Sequence, residues 1–179
     1  MAIDGIHRQF LTALLLAALA VFGGCGAPDL TGLTEEEPPR PSSEVQVAGS
    51  RAGSQLISGW YAVERNSWRW TAGKFAVLLR PPIGSAAKGA NLTLHFTVPE
   101  VVISRLHSIT LYASIQGTKL APETYQKAGP ALYTRDVPAS LLSGNAVRLD
   151  FELNRVMVPG KGDSRELGVI VDRVGLEAK

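Results

Sequence analysis

The 179-residue sequence contains one cysteine, at position 25. A single thiol excludes an intramolecular disulfide and a cysteine-based zinc site, so the folded state must rest on a packed apolar core. Histidine is nearly as scarce. His7 lies in the extreme N-terminal segment, and His95 and His107 have no further histidine or carboxylate at metal-ligand spacing, which argues against a zinc enzyme and leaves no metal or other cofactor implied. No G-x-S-x-G elbow occurs. "TAGKF" (Thr71 to Phe75) lacks both the first glycine and the hydroxyl residue of a phosphate-binding loop. "GDS" at Gly162 to Ser164 has the letters of an esterase signature, but no histidine follows it. Basic residues are scattered and no nucleic-acid-binding module is visible, so DNA and RNA are not expected partners.

What is present begins with one apolar run, "FLTALLLAALAVF" from Phe10 to Phe22, preceded by His7 and Arg8 and ended by Gly23, Gly24 and Cys25. It falls short of the ~20 residues a membrane-spanning helix needs and suits the core of a secretory signal. Small residues directly before a cysteine resemble the processing site of bacterial lipoproteins. That resemblance implies that residues 1–24 are removed, that Cys25 is acylated and becomes the mature N-terminus, and that the membrane is a partner through the attached lipid. Gly26 in place of aspartate implies sorting to the outer membrane of a double-membrane cell envelope.

From residue 25 to 52 the composition is proline, glycine, serine and glutamate with few large apolar side chains. Such a stretch buries too little surface to offset its ordering entropy, so it reads as a disordered tether. Asp29, Glu35, Glu36, Glu37 and Glu44 outnumber Arg40 and Arg51, and an acidic tether holds its domain off an anionic membrane surface. Residues 53–179, about 125 residues, then suit one domain with one core. The domain is modestly basic, with 15 Lys and Arg against 10 Asp and Glu, which is compatible with attraction to an acidic polysaccharide.

Within that domain several stretches alternate apolar and polar residues with period two, the mark of strands with one buried face. "NLTLHFTV" puts Leu92, Leu94, Phe96 and Val98 inward. "ITLYASI" does the same with Ile109, Leu111, Ala113 and Ile115, and "VRLDFELN" with Val147, Leu149, Phe151 and Leu153, leaving Arg148, Asp150, Glu152 and Asn154 outward. "ELGVIVDRVGLEA" gives Leu167, Val169, Val171 and Leu176, with Gly168 and Gly175 as points of bulging or close approach. Turn clusters separate these runs: "RPPIGSAAKG", "QGTK", "KAGP" and "VPGKGDS". One helical turn is expected near "VPASLLSG". Strands without alternating helices predict an all-β, antiparallel β-sandwich with jelly-roll topology, a fold that resembles that of carbohydrate-binding modules. In a sandwich the inner faces are used up by packing, so any site lies on an outward face or among the end loops.

Few groups carry chemistry. His95 would share its outward face with the charges of "RLDFE" if the two strands are neighbours. Glu64 with Asp163 or Glu100 can be imagined as the paired acids of a glycosidase, but nothing in the sequence selects that pair. "NLT" at Asn91 is a glycosylation acceptor only in cells that have the machinery.

Two motifs remain, "GWYAVERNSWRWTAGKFAVLL" (Gly59 to Leu79) and "VPGKGDSRELGVIVDRVGLE" (Val158 to Glu177). Together they resemble the β-sandwich accessory domain found attached to, or encoded beside, bacterial glycosyltransferases and other cell-surface polysaccharide enzymes. The resemblance implies a sandwich and a glycan setting in the envelope. An arginine pairs bidentately with a carboxylate, so Arg165 with Glu64, or Arg69 with Asp163, would tie the two motifs together as a structural network of Glu64, Asp163 and Arg165. Alternation sets Trp68 and Trp70 on one face with Arg69 opposite, and sends Trp60 and Tyr61 to opposite faces. Trp60, Tyr61, Trp68, Arg69 and Trp70 are therefore candidates either for a sugar-stacking platform or for core and rim. The expectation is a non-catalytic, membrane-anchored lipoprotein that binds or organises a surface glycan or docks on a glycan-handling protein. A purely structural or protein-interaction module of the envelope is the second reading, and a small glycosidase or esterase the third.

Overall fold

In a computed structural model of the chain, the structure describes residues 40–179. The signal, Cys25 and the tether up to residue 39 lie outside the described residues. The strands are β1 (Glu44–Gln46), β2 (Leu56–Glu64), β3 (Trp68–Leu79), β4 (Ala90–Val98), β5 (Ile109–Ile115), β6 (Thr118–Lys119), β7 (Glu123–Tyr125), β8 (Gly129–Val137), β9 (Val147–Leu153) and β10 (Ile170–Ala178). All named pairings are antiparallel.

The alternating runs become β4, β5 and β9, and every residue expected inward on them is buried. Strand neighbours fall into two layers: β1–β10–β4–β8 and β3–β9–β5–β7, with β2 along the free edge of β3 and β6 beside β5. That is the strand order of a jelly roll. The first residues of β3 also pair with β10, Trp70 opposite Ile170 and Arg69 opposite Val171, so the layers are one sheet curled over on itself. Both layers bury their inner faces in one core. Phe75 stacks on Phe151 within one layer at 4.9 Å, and Phe96 of the other meets Tyr125 edge-on at 5.0 Å.

Three expectations are corrected. The folded body does not begin at residue 53. β1 lies inside the stretch that composition marks as tether, pairing with β10 and burying Val45 and Val47; two valines among serines and glutamates are too few to reveal an edge strand. Besides the 3-10 turn at Ala139–Leu141 in "VPASLLSG", two short helices occur, α1 (Ser85–Lys88) and α2 (Glu100–Leu106). The β-branched run Val101, Val102, Ile103 hides α2, whose start is set by Pro99 with φ −66. In β10 a bulge between Val171 and Arg173 resets the alternation, so Val174 joins Val171 and Leu176 inside. Gly168 and Gly175 are indeed close approaches. A Cβ on Gly168 would lie 2.6 Å from Leu153 Cδ1 and 2.7 Å from Thr71 Oγ1, and one on Gly175 would lie 3.3 Å from Glu44 Cγ.

Candidate functional site

The aromatic motif divides across the sheet. Trp60 lies opposite the fully buried Thr71 and packs against the core, its ring edge-on to Phe75 at 5.1 Å and its indole N–H donating to the Ala76 carbonyl at 2.7 Å. It is a core-edge residue, not part of a platform. Trp68 and Trp70 project from the opposite face of β3, half-buried and edge-on to each other at 6.4 Å, with Glu64 paired opposite Trp68.

Around these tryptophans the protein satisfies its own charges. An isolated bridge between Met157 and Leu167 closes the 158–166 loop, and the Gly168 N–H next to it donates to the Thr71 carbonyl of β3 at 2.7 Å. Arg165 there donates to Glu64 at 3.0 Å and to both oxygens of Asp163 at 2.8 to 3.2 Å, and its guanidinium lies over the Tyr61 ring at 5.1 Å. The Arg165 hydrogen bonds hold the Asp163 carboxyl down at about 2. Of the two ion pairs open in the sequence, Arg165 with Glu64 forms. Arg69 does not meet Asp163; it donates to the carbonyls of Val47 at 2.7 Å and Tyr61 at 2.8 Å, clamping the segment after β1 to β2. A further tie, in which Glu166 accepts the Gly73 N–H at 2.7 Å, has no signal in the sequence, because its acceptor meets a backbone group 93 residues away. Glu64 and Asp163 therefore serve one guanidinium and are not placed as an acid and a base.

The open concavity is elsewhere, across the outer face of the layer that contains β9. It is a groove of about 680 Å³. Its origin is in the strand register. Lys119, Ser114, Asp150, Ala76 and Ser58 form one outward row across β6, β5, β9, β3 and β2. Tyr112, Glu152 and Lys74 form the next. The first row has small side chains at Ser114, Ala76 and Ser58, flanked by the long side chains of Lys119, Asp150, Tyr112, Glu152 and Lys74 in the two rows. Five strands at ~4.8 Å spacing give the floor a length of about 19 Å.

Four of the five charged side chains of the groove are paired with each other. Lys74 meets Glu152 at 3.1 Å, and Arg148 meets Asp150 at 2.7 Å. The Tyr112 side chain is 46% exposed, one of few large apolar surfaces left uncovered. At the β6 end, a two-residue turn with Gln116 at φ 48 and Gly117 at φ 83 delivers Lys119 opposite Ser114. Leu120 and Pro122 form the end wall. That wall is pinned from the other layer: the buried Tyr133 hydroxyl donates to the Ala121 carbonyl at 2.8 Å, and Arg135 donates to Ala121 and Pro122 carbonyls at 2.6 and 2.9 Å. Burial pushes the Tyr133 phenol above its ordinary range, which keeps it a donor.

Sequence alternation identified Arg148, Asp150 and Glu152 as outward, but not Tyr112, Lys74, Lys119, Ser114 or Ser58 as their companions, because row membership depends on which strands are neighbours. His95 is not among them. β4 lies between β10 and β8, so His95 faces Arg173, 2.9 Å from Nε2 to Nη2, and never meets the charges of β9. Asp150 and Glu152 stand two residues apart on one strand face, a separation compatible with a glycosidase pair. Both are ion-paired and well exposed, at 41% and 54%. Among the described residues no cluster of three or more metal-ligating side chains occurs, and no helix is long and apolar enough to cross a membrane.

No family model and no curated protein matches the chain. Among solved structures, one described as "CBM4 structure and function" aligns with 76% of this chain and 85% of its own at 13% identity and a TM-score of 0.36. At that level the likeness bears no weight for function, which rests on the groove itself.

Proposed function

We propose that this chain is a non-catalytic, lipid-anchored protein of the bacterial cell envelope whose jelly-roll domain holds a glycan chain in the groove across β2, β3, β9, β5 and β6. The observation that carries this reading is the exposed Tyr112 ring standing beside a floor of small residues and surrounded by charged and hydroxyl groups. Sugar rings present C–H faces that stack on a flat aromatic and hydroxyls that need paired donors and acceptors. Lys74, Glu152, Arg148, Asp150, Ser114 and Ser58 supply both kinds along an extended, open track. A small compact ligand would need a deeper enclosure; a chain lying across the strands does not.

The lipid at Cys25 and an outer-membrane location are part of the same proposal, supported by the signal-like run and the Gly-Gly-Cys junction. Retention of the protein during electrophoresis through gels containing soluble polysaccharides tests the glycan reading: retardation that Tyr112→Ala removes supports it, and unretarded migration in every polysaccharide refutes it. For the anchor, Cys25→Ser should move the protein from the membrane fraction to the soluble one; unchanged partition refutes lipidation at that residue.

A further inference from the structure

Resting on the groove reading above, we infer that the preferred ligand is an anionic glycan, whose acid group sits over Ser114 between Lys119 and the Arg148–Asp150 pair. Five charged side chains line the groove: Lys74, Lys119, Arg148, Asp150 and Glu152. Four of them cancel within the protein, Lys74 with Glu152 and Arg148 with Asp150. Lys119 has no ion-pair partner among the described residues and is exposed. It is paired across the hairpin with Ser114, whose hydroxyl shares the outward face. The Lys119 ammonium and the Ser114 hydroxyl, on paired positions of one face, form a two-donor seat for a carboxylate or sulfate on the sugar.

The rest of the molecule favours the same sign. Residues 40–179 carry 17 Lys and Arg against 11 Asp and Glu, so a polyanion is attracted at long range before it docks. A neutral chain gains nothing from that field.

Matched polymers isolate the charge. De-esterified polygalacturonate and its methyl-esterified form share a backbone and differ in the carboxylate; dextran sulfate and dextran make a second matched pair. The expected result is that the charged member of at least one pair binds about tenfold more tightly than its neutral partner at low salt. Lys119→Gln should lower that ratio severalfold, whereas Lys119→Arg keeps it. Which pair shows the ratio distinguishes carboxylate from sulfate. A ratio near one in both pairs for the unaltered protein, or a ratio that survives Lys119→Gln, overturns the inference while leaving the glycan reading intact. Failure of all four polymers to bind overturns both.

Discussion

The β2–β3 hairpin end and the groove over β9 contrast in what their polar groups do. At the hairpin end Arg165 is shared by Glu64 and Asp163 and covers Tyr61, while Arg69 is spent on two backbone carbonyls. Across β9, Tyr112 is 46% exposed and Lys119 has no ion-pair partner among the described residues. The hairpin end has the richer inventory of aromatic and charged residues, yet the groove has the available ones. Residue type says where aromatic rings concentrate; strand register decides which of them stay free for a ligand.

Substitutions on the two sides should separate cleanly, and the largest separation is expected at Tyr112. Tyr112→Ala should lower glycan affinity at least tenfold, as loss of a central aromatic anchor does, with a smaller change in Tm than loss of a core aromatic because the residue stays 46% exposed. Calorimetric titration against the bound polysaccharide checks the first statement and a melting curve the second. Trp70→Ala should do the reverse, lowering stability by about 1–2 kcal/mol, less than a fully buried aromatic costs, while affinity stays level. A drop in affinity without a drop in stability would make the tryptophans a second contact surface.

Arg165→Ala should lower Tm by several degrees at neutral pH, and the deficit should depend on acidity. The Asp163 carboxyl is lowered in the folded state from 3.8 to about 2. Its contribution is therefore fully present above pH 3.8 and lost as pH falls through about 2. Melting curves of both proteins between about pH 5 and pH 2 should converge at the acid end; a constant gap would show that Arg165 acts only by packing on Tyr61. The smallest effect is expected at Arg135, which touches the groove only through the Ala121 and Pro122 carbonyls. Arg135→Ala should loosen the end wall and weaken binding about two- to fivefold, without altering selectivity between charged and neutral polymers.

Much of the fold was legible because β4, β5 and β9 each have one buried face and one wet face, and alternation reports that directly. β1 was not, since its pairing depends on β10, well over a hundred residues later in the chain. β10 was legible only in part, because its bulge breaks the period on which the reading relies. The Arg165–Glu64 tie was open to inference from side-chain chemistry, one long-range pair with strong geometric preference. The groove was not. Alternation names Asp150 and Glu152 as outward, but β9 lies between β3 and β5 through the jelly-roll crossovers, and only that order brings Lys74, Ser114 and Tyr112 beside them.

The most direct test of the groove as the glycan site is affinity electrophoresis of three proteins in one gel containing de-esterified polygalacturonate: the unaltered chain, Tyr112→Ala and Trp70→Ala. The account predicts that the unaltered chain and Trp70→Ala are retarded together and that Tyr112→Ala runs free. Retardation of Tyr112→Ala with loss of retardation in Trp70→Ala would place the ligand at the aromatic hairpin end and contradict it.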